Sequence, residues 1–180
     1  KFKLTNDQKN AIKVIENDLS SKERMFRLIQ GDVGSGKTIV SLIAALNTIK
    51  SGYQVALMVP TEILAKQHYN FSKDFFNSDI KIELITGKID YSKKKKILEN
   101  LENNKINLII GTHSLFQKKI KFSKLGLIII DEQHKFGVNQ RKELSDKGGN
   151  DCDVLVMSAT PIPRTMMMTI YGDMDVTLIR

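Results

Sequence analysis

The plainest chemistry in this sequence lies in Gly31-Asp32-Val33-Gly34-Ser35-Gly36-Lys37-Thr38. These residues fit G-x-x-x-x-G-K-S/T, the pattern of a Walker A loop that wraps phosphate. Glycines let such a backbone turn tightly and point its N–H groups inward. A helix starting near Lys37 adds the positive end of its dipole. Lys37 supplies a full charge to the β- and γ-phosphates, and the Thr38 hydroxyl ligates Mg²⁺. At average glycine usage, a chance match in a lysine-rich chain of this size is on the order of one in a hundred. The loop therefore calls for a nucleoside triphosphate with Mg²⁺.

An acidic partner follows a hundred residues on. The apolar run Leu127-Ile128-Ile129-Ile130 leads directly into Asp131 and Glu132. Asp131 can hold Mg²⁺, directly or through its waters, while Glu132 faces an attacking water as general base. Two neighbouring acids at a strand end could equally face solvent; the loop at Gly31 decides for a Walker B role. Lys37, Asp131 and Glu132 are thus the catalytic candidates. Gln133 and His134 extend the acids into a DExH box, and Ser158-Ala159-Thr160 follows the next strand-like run. Polar groups there can hydrogen-bond between a γ-phosphate site and a neighbouring groove, which would link hydrolysis to movement.

The elements that must hold these residues alternate along the chain. Strand-like runs fall at 25–30, 53–59, 80–85, 107–110, 125–130 and 152–157, several of them apolar almost throughout, as strands covered on both faces must be. Helical patterns fall at 38–50, 61–76, 92–103 and 138–147. An earlier helix starts at Thr5, where Thr5 and Gln8 are spaced as a capping box ahead of the stripe Ala11, Ile12, Ile15 and Leu19. Gly148-Gly149-Asn150 reads as a turn, and a last helix begins near Pro163. This alternation predicts a three-layer α/β domain with a mostly parallel central sheet. The chemical residues sit at strand ends, where loops and helix N-termini converge in such sheets.

Composition sets the outer limits. The 180 residues carry 28 Lys and Arg against 20 Asp and Glu, a formal charge of +8 that favours an acidic partner such as nucleic acid. The chain also prefers Lys, Asn and Ile throughout, as biased base composition would produce, and the Lys93 to Lys96 run reads as a solvated helix face. The lone Cys152 excludes an internal disulfide, and its place before an apolar run reads as a buried, inert thiol. His68, His113 and His134 are too scattered to imply a metal site. No apolar run approaches a bilayer span, so the expected chain has no membrane segment and is cytoplasmic.

The motifs, taken in order, resemble those of superfamily 2 helicases. They are Leu4-Thr5 with Gln8, the Gly31 loop, Pro60-Thr61-Glu62, Thr86-Gly87, Gly111-Thr112-His113, Asp131 to His134, and Ser158 to Thr160. Longer stretches, PTEILAKQH, DEQHKFGVNQR and SATPIPRTMMMTIYGDMDV among them, are similar to the bacterial branch that acts on branched DNA. The resemblance covers essentially the whole chain and implies a P-loop, RecA-like lobe. It implies that Gln8 reads the adenine edge, which favours ATP. Thr61, Thr86, Gly87, Thr112 and His113 would lie along a DNA groove and meet backbone phosphates, contacts that carry position but little sequence information. Gln133, His134, Ser158, Thr160 and Arg164 would couple the ATP site to DNA. Lys66 and Lys88 stand where a non-basic residue is more usual.

By the same resemblance, residues 1–180 form a single N-terminal motor lobe from a longer protein, with a second RecA-like lobe and a DNA-splitting wedge domain elsewhere in the parent. The absence of an initiating Met agrees with that expectation. A lone lobe would bind ATP-Mg weakly and hydrolyse it very slowly, because the arginine fingers belong to the second lobe. Three alternatives stay open: the motor of a transcription-repair coupling factor, an RNA helicase core, and an ATP-dependent switch that does not touch nucleic acid.

Overall fold

In the computed structural model, residues 3–117, 119–131, 152–161 and 174–180 are described. The chain enters through the expected capping box. Thr5 Oγ1 accepts from the Gln8 N–H at 3.2 Å, and Gln8 Oε1 accepts from the Thr5 N–H at 3.0 Å. Two of the helix's orphan donors are thereby satisfied, which fixes the start of α1 (Asn6–Leu19). Ala11 and Ile15, one helical turn apart, turn its apolar side inward.

Each strand then leads into a crossover, as parallel strands require. The order is β1 (Phe26–Gln30), α2 (Lys37–Lys50), β2 (Gln54–Met58), α3 (Glu62–Phe75), β3 (Ile82–Ile85), α4 (Tyr91–Glu102) and β4 (Leu108–Gly111). After these come a 3₁₀ turn (His113–Phe116), β5 (Leu125–Asp131), β6 (Asp153–Ser158) and β7 (Asp175–Leu178). The strands form one seven-stranded sheet in the order β3-β4-β2-β5-β6-β1-β7, and every pairing described is parallel.

Strand alternation divides the core into two sides. Val55, Leu57, Leu127, Ile129, Leu155 and Met157 face a core built with Ala11, Ile15, Val40, Leu42 and Ala65 of α1, α2 and α3. Ala56, Met58, Ile128, Ile130, Val154 and Val156 face the opposite core, closed by Ile97 and Leu101 of α4 and by Leu115. Both sheet faces are thus covered, which explains the unbroken apolar runs and gives the three layers expected. Gln54 is one of the polar side chains buried inside. Its Nε2 donates to the Leu101 and Ile106 carbonyls at 2.9 Å each, and its Oε1 accepts from Lys124 N–H at 3.0 Å. One buried amide therefore joins the ends of three connections, its polar atoms all satisfied.

All six expected strands are present with ends within two residues of expectation, and helices α1 to α4 lie where the periodicity places them. Cys152 is buried, and desolvation pushes its thiol up to about 12, which bears out the inert reading. The seventh strand was not read from the sequence. Residues Asp175–Leu178 are mostly exposed and only four long, too short to show a period. They pair along the outer side of β1 from Arg27–Asp175 to Gln30–Leu178. Arg27, only 8% exposed, clasps this edge by donating to Thr177 Oγ1 at 2.9 Å and to Asp18 Oδ2 at 2.6 Å. The expected helix at 138–147, the turn at 148–150 and the helix from Pro163 lie outside the described residues. Among the described residues, no helix is long and apolar enough to cross a membrane.

Candidate functional site

Parallel pairing brings the C-terminal ends of all the strands to one edge of the sheet, and the register decides which residues meet there. Gln30 pairs with Ser158, and Asp131 pairs with Met157. Hence the loop after β1, the acid closing β5 and the serine closing β6 are neighbours, although about a hundred residues of sequence separate the loop from the other two. The Gly31 N–H extends the sheet by donating to the Ser158 carbonyl at 3.2 Å.

The loop from Gly31 to Gly36 is a tight arch ending on α2. Gly34 and Gly36 adopt φ of +85° and +86°, the left-handed region that residues with a Cβ disfavour. Gly31 is constrained differently: a Cβ there would collide with the Ile179 carbonyl and crowd Ser35 Oγ at 2.7 Å. Lys37 opens α2, and its Nζ donates to the Gly31 carbonyl at 2.6 Å and the Asp32 carbonyl at 2.8 Å. The ammonium is thus held against the loop it is meant to serve. Thr38 is half-buried on the first helical turn; Asp32, Val33 and Gly34 are exposed along the arch. Ser35 Oγ is buried without a hydrogen-bond partner.

Gln8 reaches this loop from α1. Its Nε2 donates to the Ser35 carbonyl at 2.8 Å, and a Cβ on Gly36 would collide with that same nitrogen. The amide expected to read a base edge therefore also braces the phosphate loop. One amide hydrogen of its Nε2 lies outside these bonds.

Asp131 closes β5 with a side chain 15% exposed. The residue that touches it was not foreseen. His68, 8% exposed on α3, places Nε2 2.8 Å from Asp131 Oδ2. Sixty-three residues separate the two, so spacing gave no sign of the contact. The only trace is helical: Ala65, His68 and Ser72 make up the buried stripe of α3. Ser158 Oγ lies 3.1 Å from Thr160 Oγ1 and accepts from Thr160 N–H at 3.2 Å, so these two expected coupling residues form one turn. Glu132, Gln133, His134 and Arg164 lie outside the described residues.

The groove candidates occupy the other half of the same edge, after β2, β3 and β4. Thr61 caps α3, its hydroxyl accepting from Leu64 N–H at 3.3 Å. Gly87 N–H donates to Glu62 Oε1 at 2.6 Å, which ties the loop after β3 to the start of α3. Thr86 is half-buried and accepts on its carbonyl from Ile89 N–H at 3.3 Å. Thr112 Oγ1 lies 3.3 Å from Ser114 Oγ, and His113 is exposed beside it. All five expected residues are at the strand ends, while several of their polar groups already cap or turn the backbone.

A lobe with a phosphate loop after its first strand and an acid closing a central strand is a nucleotide-motor architecture. Residues 5–169 match the DEAD/DEAH box helicase family, and the chain belongs to that family. Within it, the chain is 53% identical over 180 residues to the ATP-dependent DNA helicase RecG of Aquifex aeolicus, covering 99% of this chain and 23% of that protein. It is 51% identical over 179 residues to RecG of Bacillus subtilis, covering 99% and 26% of the two chains. A solved structure of RecG bound to a three-way DNA junction superposes with a TM-score of 0.85 at 45% identity, over all of this chain and 24% of the other. The resemblance read from the motifs is borne out, and the RecA-like helicase fold with it. This chain spans about a quarter of the length of these relatives.

Proposed function

We propose that this chain is the ATP-binding motor lobe of a RecG-type DNA helicase, coupling ATP hydrolysis to the remodelling of branched DNA. The observation that carries the reading is the shared strand edge. The Gly31 loop, Asp131 and Ser158 meet on adjacent strands, with the candidate DNA residues along the same edge. The lobe would work with a second RecA-like lobe and a wedge domain in a parent chain of the relatives' length. It would track backbone phosphates without regard to sequence, in a bacterial cytoplasm.

The site suits ATP with Mg²⁺ on its own chemistry. The arch presents Ser35 Oγ, buried and without a hydrogen-bond partner, and loops of this kind turn backbone N–H groups toward phosphate. Gly31, Asp32, Val33, Gly34, Ser35 and Gly36 would cradle the phosphates. Lys37 would exchange its bonds to the Gly31 and Asp32 carbonyls for phosphate oxygens, and the second amide hydrogen of Gln8 would face adenine. Thr38 and Asp131 would hold Mg²⁺, which when bound neutralises charge on the phosphates. Glu132 would take a proton from the attacking water. Gln133, His134, Ser158, Thr160 and Arg164 would relay the change in phosphate contacts to the groove of Thr61, Thr86, Gly87, Thr112 and His113.

The test is ATP turnover by the intact protein with forked DNA, linear duplex DNA and RNA. Stimulation greatest with forked DNA is expected, with Lys37→Ala lowering turnover by about a hundredfold or more, as loss of a charge-stabilising group does. Equal stimulation by RNA, or turnover indifferent to Lys37→Ala, overturns the reading.

A further inference from the structure

His68 lies outside every motif role assigned above, yet among the described residues its ring makes a close side-chain contact with the acid at the centre of the site. Three observations bear on it. Its Nε2 lies 2.8 Å from Asp131 Oδ2, with the two side chains 9% and 15% exposed. A carboxylate can only accept in such a contact, so the ring nitrogen donates its proton. Second, His68 belongs to α3, whose first turn is the Thr61 cap at the groove. Third, Glu62 on that turn accepts from Gly87 N–H at 2.6 Å, so the same helix holds two of the groove loops. An α-helix is stiff over this distance: from Thr61 to His68 is about 10 Å at 1.5 Å per residue.

We propose that His68 is a positioning residue, which orients the Asp131 carboxylate for Mg²⁺ and makes α3 the rigid link between the nucleic-acid groove and the metal site. The inference rests on the reading of Asp131 as a metal ligand. With Oδ2 held by His68, Oδ1 is the carboxylate oxygen that would be left for the ion or its water. Groups that orient a ligand in this way commonly alter metal affinity by about 10- to 100-fold when removed. Because α3 also carries the Thr61 and Glu62 contacts, a shift of the groove loops on DNA would move His68 with them. By reciprocity, DNA should then tighten Mg²⁺-dependent nucleotide binding by the same factor that Mg-nucleotide tightens DNA.

The experiment measures binding rather than turnover. Affinity for a fluorescent ADP is titrated on the intact protein in EDTA and across a Mg²⁺ series, with and without forked DNA. Wild type, His68→Leu and His68→Gln are compared, glutamine being able to present an N–H near the position of Nε2. His68→Leu is expected to leave affinity in EDTA unchanged, which also shows the lobe folded. It should raise the Mg²⁺ concentration needed for tight binding about tenfold or more, and abolish the further shift caused by DNA. His68→Gln should restore much of both. If His68→Leu keeps either the wild-type Mg²⁺ dependence or the wild-type DNA shift, the inference is overturned. If wild type itself binds ADP independently of Mg²⁺, the assignment of Asp131 falls, and the inference with it.

Discussion

Replacing Gly36 with alanine tests the bracing of the phosphate loop from two directions at once. The backbone there sits at φ +86°, where a Cβ costs about 1–2 kcal/mol. Gly34, at φ +85°, carries the same strain, but a Cβ on it would meet nothing within 4 Å. On Gly36 the added carbon collides with Gln8 Nε2, which is bonded to the Ser35 carbonyl at 2.8 Å. Moving that amide forfeits the bond and disturbs the capping box that its Oε1 completes, together about 1–2 kcal/mol more. Gly34→Ala should therefore cost about 1–2 kcal/mol and Gly36→Ala about 2–4 kcal/mol. The excess belongs to Gln8, so in a Gln8→Ala background the Gly36→Ala cost should fall back to the Gly34→Ala value. Urea unfolding of the chain and its variants, read at unchanged m-value, gives the coupling directly. Equal costs for the two glycines, or strict additivity with Gln8→Ala, would refute the argument that Gln8 braces the loop.

Other outcomes follow from the buried groups. Cys152, with its thiol pushed up to about 12 by desolvation, should react with a disulfide reagent at pH 8 on the order of a thousandfold more slowly than in the unfolded chain. A fast native reaction would contradict its burial. Asp153 is raised chiefly by desolvation, despite the Met25 N–H that it accepts at 2.7 Å and the nearby Arg24. A carboxyl raised on folding binds its proton more tightly in the folded state. Its stability contribution is thus complete below the ordinary carboxyl pKa and is lost as pH rises through the raised value. Asp153→Asn keeps an acceptor for Met25 and should flatten that loss, raising the unfolding midpoint at pH 7 relative to wild type. A steeper pH dependence in the variant would show the sign to be wrong.

The two kinds of signal in the sequence differ in reach. The Gly31 loop, the Asp131 strand end and the Thr5–Gln8 box are local patterns whose physics acts within one turn or one strand, and they appear where expected. Sheet-wide burial also left its mark, as unbroken apolar runs in β2 and β5. Contacts formed only by the fold did not. His68 meets Asp131 because α3, packed over β3 and β4, brings its buried side to the end of β5, and nothing in either segment alone announces the other. Strand β7 depends on the open side of β1 and the Arg27 clasp rather than on an apolar period of its own. Gln8 shows an intermediate case, its cap legible from spacing and its bond to Ser35 legible only once α1 lies against the loop.

The place of β1 in the sheet has a consequence for how the chain is made. Its two neighbours, β6 and β7, both come from the last thirty residues, and the Met25–Asp153 and Arg27–Thr177 bonds span 128 and 150 residues. At about 5–20 residues per second of synthesis, β1 therefore waits on the order of ten seconds for either partner to emerge. Until then its apolar middle and both rows of backbone groups are exposed, while β2, β3 and β4 can already pair with one another. The half of the sheet bearing the groove residues can assemble on the ribosome, whereas the phosphate loop acquires its frame only after nearly the whole lobe has been translated. A chain interrupted between β5 and β6 would leave an unpaired, aggregation-prone strand directly ahead of that loop.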